Sequence, residues 1–220
     1  MTSAPLTAED RARNIKLILF DVDGVLTDGG IWIFPAPATG QSTNNLAKLL
    51  ESKGGYAISS SSMIEAKGFH AHDGTGISLA RLGGMKCGII TKRVSETVAL
   101  RARDLRLEYI YMGQAFKIKA VREIMEKEKL TLAEIAFVGD DIIDLPVMRE
   151  CGLAIAVASA RAQVKAIAQY ITPSAGGQGA GRDAVEFILT AKGILDQVIE
   201  QYIDERNPVS ASMDTGKSRN

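Results

Sequence analysis

Short apolar runs recur along the chain, and the segments between them carry helical periodicity. The runs are 15–20 (IKLILF), 85–91 (MKCGIIT), 107–112 (LEYIYM), 135–138 (IAFV), 153–157 (LAIAV) and 169–172 (QYIT). Most are continuously apolar rather than alternating, as expected for strands covered on both faces. The intervening segments predict helices near 76–83, 94–104, 115–129, 142–150 and 160–168, and one long terminal helix over 183–206. Strand and helix in alternation predict an α/β fold, a parallel sheet flanked by helices. No internal repeat is visible.

A chain of 220 residues can bury a substantial core, and with 46% apolar but only 5% aromatic residues that core is aliphatic. One domain is expected over 1–207. Residues 35–62 (PAPATGQSTNNLAKLLESKGGYAISSSS) break the pattern and read as an insertion, with a short helix at 44–52. The polar segment 208–220 reads as a disordered tail. Lys plus Arg equals Asp plus Glu at 26 each, so charge gives no reason to expect a nucleic-acid partner. No apolar run approaches the ~18 residues of a membrane span. The first residues, MTSAPLTAEDRARN, lack the apolar core of a secretory signal, so a cytoplasmic location is expected. Cys87 and Cys151 each lie in or beside an apolar stretch and are expected as buried thiols.

In a parallel sheet of this type, ligands bind beyond the carboxyl ends of the strands. Asp21 and Asp23 follow the first run. Thr91, Lys92 and Arg93 follow the second, and Asp140, Asp141 and Asp144 follow the fourth. If these strands are neighbours, one rim carries several carboxylates with a hydroxyl and cations beside them. Crowded carboxylates repel unless a cation holds them, and an all-oxygen donor set selects a hard ion such as Mg²⁺. Such a rim suits phosphoryl transfer. One carboxylate attacks phosphorus, a second acid moves the proton, and a lysine offsets the charge of the phosphate. Period-two spacing points Asp21 and Asp23 to the same side, and Gly24 lets the chain bend sharply.

The motifs resemble those of the haloacid dehalogenase superfamily of phosphatases. DVDGVLTDG (21–29) is similar to the first motif, DxDGxxTD; GIIT, ending at Thr91, to the second; GQAFK, ending at Lys117, to the third; and GDDIIDLP (139–146) to the fourth. HDGTGISLARLGGMKCGIIT (72–91), GDDIIDLPVMRECGLAIAVASA (139–160) and AGGQGAGRDAVEFIL (175–189) further resemble the 3-deoxy-D-manno-octulosonate 8-phosphate phosphatases of lipopolysaccharide sugar synthesis. Acylneuraminate 9-phosphate phosphatases, and phosphatase-like domains fused to sialic acid cytidylyltransferases, share many of these motifs.

The resemblance implies a capless, Rossmann-like phosphatase with a β-hairpin flap. It implies Mg²⁺ as cofactor, a small phosphosugar as substrate, and a homotetramer in which neighbours help close each site. Asp21 would be nucleophile and metal ligand. Asp23 would be the general acid/base and would bind the metal through its backbone carbonyl. Asp140 would be the third protein ligand, and Asp144, with Asp141 beside it, would support the metal waters or Lys117. Thr91 would bind phosphate and Lys117 would neutralise it. Lys92, Arg93, His72, Gly74 and Arg182 would contact substrate. Lys92, His72 and Gln178 stand where the octulosonate pattern has Gly, Arg and Arg. These exchanges leave the reaction class intact and keep another phosphosugar, or a non-catalytic oligomerisation domain, as alternatives.

Overall fold

Strand β1 (Leu17–Phe20) carries no exposed residue because it lies between two parallel neighbours at the centre of the sheet. The computed structural model describes residues 6–35, 56–57 and 63–204. On one side β1 pairs with β5 (Lys86–Ile90), on the other with β8 (Ile135–Gly139), and Phe20 is in register with both Ile89 and Val138. Beyond β5 lies β7 (Tyr109–Tyr111). Beyond β8 lie β9 (Leu153–Ala156) and β10 (Tyr170–Ile171), giving the order β10-β9-β8-β1-β5-β7. Each pairing is parallel, so the carboxyl ends of all six strands share one edge. The chain runs from β1 to β5 and β7 on one side, then crosses back to β8 on the other, and this reversal opens a crevice at the end of β1.

All six expected strands are present, each within a residue or two of its apolar run. Among the described residues the α-helices are α1 (Ala8–Arg13), α2 (Ala71–Leu82), α3 (Glu96–Asp104), α4 (Lys117–Glu128), α5 (Leu145–Met148), α6 (Ala162–Lys165), α7 (Ala180–Ala191) and α8 (Leu195–Ile203). Helix α1 escaped the sequence reading, although Thr7 and Asp10 form a reciprocal capping box at its start. It packs against α7, which also packs against α2. Cys87 and Cys151 are buried free thiols, and burial pushes Cys151 up to about 12.

The single long helix expected over 183–206 is instead two. Gly193, at φ +70°, stops α7. Its N–H donates to the Thr190 carbonyl at 2.8 Å and the Ile194 N–H donates to that of Leu189 at 3.0 Å. These two bonds satisfy carbonyls at the helix end in a Schellman motif, and the chain turns before α8 begins. Apolar periodicity continues through the turn, which is why the pattern alone did not reveal it.

A hairpin follows β1. Strand β2 (Trp32–Pro35) pairs antiparallel with β4 (Met63–Ala66), leaving Trp32, Ile33, Phe34 and Ile64 exposed. Within the inserted segment, β3 (Tyr56–Ala57) pairs in parallel with β6 (Arg93–Val94). The expected helix at 44–52 and the tail at 208–220 lie outside the described residues.

The turn at Gly193 generates a stability prediction. A Cβ there meets no atom within 4 Å, so only backbone strain opposes a side chain. Gly193→Ala is expected to cost about 1 kcal/mol, and Gly193→Asn less, in urea unfolding. Equal midpoints for Gly193→Ala and the parent would contradict this assignment.

Candidate active site

The end of β1 places Asp21 beside β8, with the Asp21 N–H donating to the Val138 carbonyl at 3.0 Å. The residue is 3% exposed. Its Oδ1 accepts from the Val22 N–H at 2.7 Å and lies 2.7 Å from Lys117 Nζ. Lys117 opens α4 and is itself buried, and its ammonium also donates to Asp144 Oδ1 at 2.7 Å. Asp144 is fully buried. Its Oδ2 accepts from the N–H groups of Asp140 at 3.0 Å and Asp141 at 3.4 Å. Thus Asp144 grips both the lysine and the loop after β8. That loop enters a short 3₁₀ turn, Ile142–Asp144, in which Asp141 and Asp144 cap each other reciprocally.

Two motif glycines make room for these acids. A Cβ on Gly24, which sits at φ +92°, would lie 2.2 Å from Asp140 Oδ2. One on Gly139 would lie 2.7 Å from Asp144 Oδ2. The glycine-rich stretch near 176 has a packing role as well. A Cβ on Gly176 would lie 1.7 Å from the Gly24 carbonyl oxygen, and Gly177 donates its N–H to Val25 at 3.0 Å.

The electrostatics follow from burial. Burial pushes the Asp21 carboxyl up to about 7, with Lys117 pulling it down and Asp144 adding to the rise. Burial, then Asp21 and Asp144, push Asp140 up to about 8. Burial pulls the Lys117 ammonium down, but Asp21 and Asp144 outweigh it and the net direction is upward. One cation therefore faces more acid than it can neutralise. Carboxylate oxygens of Asp21, Asp140 and Asp144 lie within 4.8 Å of one another, and Asp140 Oδ1 is buried with no hydrogen-bond partner among the described residues. An all-oxygen cluster with an unmatched buried acceptor fits a hard divalent cation such as Mg²⁺.

A cavity of about 150 Å³ opens on this cluster, lined by Asp21, Asp23, Thr91, Lys92, Arg93, Asp140, Asp141 and Ile143. Thr91 is held by its N–H on the Tyr111 carbonyl at 2.9 Å and by its carbonyl accepting from Gln114 at 3.0 Å. Lys119, two residues further along α4, instead sits 5.4 Å from the centre of the Phe116 ring.

The sequence reading missed Lys67 and Glu65. Lys67 has a fully buried side chain and donates to Asp23 Oδ1. It also lies 3.3 Å from Glu65 Oε1, which lies 3.2 Å from an Arg93 Nη2 that reaches toward the same cluster. Arg93 Nε is 3.7 Å from Asp23 Oδ2. The available signal was the spacing of Glu65 and Lys67, which directs both to one side of a strand.

His72, Gly74 and Arg182 are not among the residues lining this cavity. His72 stacks edge-on to His70, 4.6 Å between ring centres. Arg182 Nε donates to Glu186 at 2.5 Å, and its N–H donates to buried Asp73 at 3.0 Å. Gly74 lines a separate cavity between α2 and α3.

Residues 90–181 match the model of a haloacid dehalogenase-like hydrolase family. The 3-deoxy-D-manno-octulosonate 8-phosphate phosphatase KdsC of Escherichia coli K12 is 36% identical over 193 residues, 88% of this chain and 89% of that protein. Its Yersinia pestis counterpart is 33% identical over 186 residues, 84% and 86% of the two chains. The crystal structure of the Moraxella catarrhalis phosphatase in complex with magnesium ion, phosphate ion and KDO superposes with a TM-score of 0.73 at 32% identity, covering 89% of this chain and 97% of that one. The Yersinia pestis phosphatase structure gives 0.71 at 32% identity, covering 86% and 88%. With a buried Asp–Lys–Asp cluster at the carboxyl end of the central strand and relatives matching along most of its length, the chain belongs to the haloacid dehalogenase-like hydrolases, in the branch that holds the 3-deoxy-D-manno-octulosonate 8-phosphate phosphatases.

Proposed function

We propose that this protein is a Mg²⁺-dependent phosphatase that hydrolyses 3-deoxy-D-manno-octulosonate 8-phosphate to the free sugar acid and phosphate. The observation that carries the reading is the buried cluster of Asp21, Lys117, Asp144 and Asp140, with its unmatched Asp140 oxygen. The relatives named for that substrate, one of them holding magnesium, phosphate and KDO, give the cluster its context.

Asp21 is the nucleophile. Two donors occupy its Oδ1, so Oδ2 is the attacking atom. A bond forms from that oxygen to phosphorus as the bond from phosphorus to the sugar oxygen breaks, leaving an aspartyl-phosphate. Asp23 gives its proton to the leaving sugar oxygen. It then takes one from the water that attacks phosphorus and frees Asp21. Thr91 and Lys117 hold the phosphate oxygens, and Lys92 and Arg93 add positive charge at the mouth of the cavity. Asp144, with Asp141 beside it, is a positioning residue that keeps Lys117 aimed at Asp21. The Asp21 and Asp140 carboxylates and the Asp23 carbonyl would hold Mg²⁺, which when bound supplies charge neutralisation for the phosphoryl group. His72, Gly74 and Arg182 serve substrate binding in this reading only if substrate or a neighbouring subunit joins their surface to the cavity.

The same proposal extends to the assembly. The exposed Trp32, Ile33, Phe34 and Ile64 on the hairpin are suited to a contact between copies in a homotetramer. One phosphatase domain spans 1–207, and a cytoplasmic location fits two unpaired buried thiols. No helix among the described residues is long and apolar enough to cross a membrane.

Phosphate release from a panel holding 3-deoxy-D-manno-octulosonate 8-phosphate and N-acetylneuraminate 9-phosphate tests the activity. Strong turnover of the first is expected. Turnover is expected to vanish in Asp21→Asn and to fall roughly 10²–10⁴-fold in Asp23→Asn. A folded, Mg²⁺-supplied protein that releases no phosphate from any ester would overturn the reading.

Metal binding should depend on pH in a definite direction. Asp21 and Asp140 are raised above their unfolded values, so the folded metal-free protein binds more protons and loses stability as pH rises through about 7 to about 8. Mg²⁺ competes with those protons and supplies the missing counter-charge. The rise in melting temperature on adding Mg²⁺ should therefore grow from about pH 6 to about pH 8.5. A rise of constant size across that range would contradict the assignment.

For the assembly, sedimentation velocity is expected to give a tetramer for the parent and smaller species for Trp32→Glu. Identical profiles would remove the hairpin from the contact.

A further inference from the structure

A second cavity of about 490 Å³ lies between α2 and α3, closed at one side by Tyr202 of α8. It shares no lining residue with the cavity at Asp21. Among the described residues its walls carry the guanidinium groups of Arg81, Arg101 and Arg106 and the carboxylate of Asp104. Arg81 and Arg101 are held in place before any ligand arrives. Arg81 Nη1 donates to the carbonyls of Leu105 at 2.5 Å and Arg106 at 3.0 Å, which fixes its charge at the end of α3. Arg101 Nη1 donates to Asp104 at 2.6 Å, and its guanidinium lies 5.8 Å from the centre of the Phe69 ring. The Arg101 Nε is buried and has no hydrogen-bond partner among the described residues.

A buried donor without an acceptor is costly, and a preorganised cation lowers the cost of binding an anion. Guanidinium forks match phosphate oxygens in shape as well as charge. The volume falls in the range of small-molecule sites and exceeds what inorganic phosphate alone would fill. The hydroxyls of Thr75 and Ser78 offer partners to a polyol, and Tyr202 and Leu105 offer apolar surface to a carbon skeleton. We propose that the groove between α2 and α3 is a non-catalytic binding site for a small organic phosphate of sugar-phosphate size. The inference stands apart from the assignment of the catalytic reaction, since none of the residues it is argued from lines the cavity at Asp21.

The test is a titration of the Mg²⁺-free full chain, following the ¹⁵N-resolved Nε–H resonance of Arg101. The probes are ribose 5-phosphate, ribose and inorganic phosphate. Ribose 5-phosphate is expected to shift that resonance saturably and ribose is not. Thr75→Glu, which places a carboxylate in the groove, is expected to weaken the binding by about tenfold or more. Arg101→Gln, followed by calorimetry in place of the lost resonance, should weaken it likewise. Mg²⁺-dependent phosphate release should be unchanged in both variants. Absence of a saturable shift with ribose 5-phosphate would overturn the proposal. So would undiminished affinity in a folded Thr75→Glu, or inorganic phosphate binding as tightly as the sugar phosphate.

Discussion

The ion pairs that Lys117 makes with Asp21 and Asp144 are the interaction on which the rest of the site depends. All three side chains are out of water, where an uncompensated charge costs about 3–5 kcal/mol. The lysine therefore has to arrive at one point in space, and four separate parts of the chain are arranged to bring it there. β1 delivers Asp21 and the first turn of α4 delivers Lys117. The 3₁₀ turn after β8 delivers Asp144, and Gly139 leaves the space that Asp144 occupies. Each arrival is a consequence of strand order. If β8 did not lie on one side of β1, and β5 with β7 beyond it on the other, Asp21, Asp144 and the lysine that follows β7 would not converge.

The electrostatic balance of the cluster is incomplete by design of its geometry. Asp144 spends both oxygens on the protein, one on Lys117 and the other on backbone N–H groups. Asp140 is held by that same backbone, yet its own Oδ1 is left unmatched. The structural acid and the acid available to an incoming ion are thus four residues apart and separated in role by which atoms are already engaged. Burial raises the protonation of Asp21 and Asp140 together, so proton and metal ion compete for one small volume.

Much of this was legible in the sequence because it rests on local patterns. Continuous apolar runs marked the strands, and acids placed directly after them marked the rim. Other parts depend on contacts that no local pattern carries. Lys67 reaches Asp23 only because the chain returns through the β2–β4 hairpin, and its fully buried ammonium looks like any surface lysine when read in line. The break between α7 and α8 rests on one positive φ at Gly193, within a stretch whose apolar spacing runs on regardless. Read in line, the glycines near 176 show only that the chain can bend there; their reason is the packing against Gly24, where a Cβ on Gly176 would lie 1.7 Å from the carbonyl oxygen. His72, Gly74 and Arg182 were tied to substrate by resemblance alone, and within one chain they line no part of the cavity at Asp21.

That approach of Gly176 to Gly24 has a bearing on how the molecule is made. The loop that carries Asp23 and Gly24 emerges in synthesis well before the segment around Gly176 that lies across it. Long-range contacts of this kind form late, after the cost of closing a large loop has been met. The loop after β1 therefore gains its final support only once the chain has been made through Gly176 and Gly177. A nascent or truncated polypeptide can hold β1 and its acids without holding the site, which confines the assembled chemistry to the finished molecule.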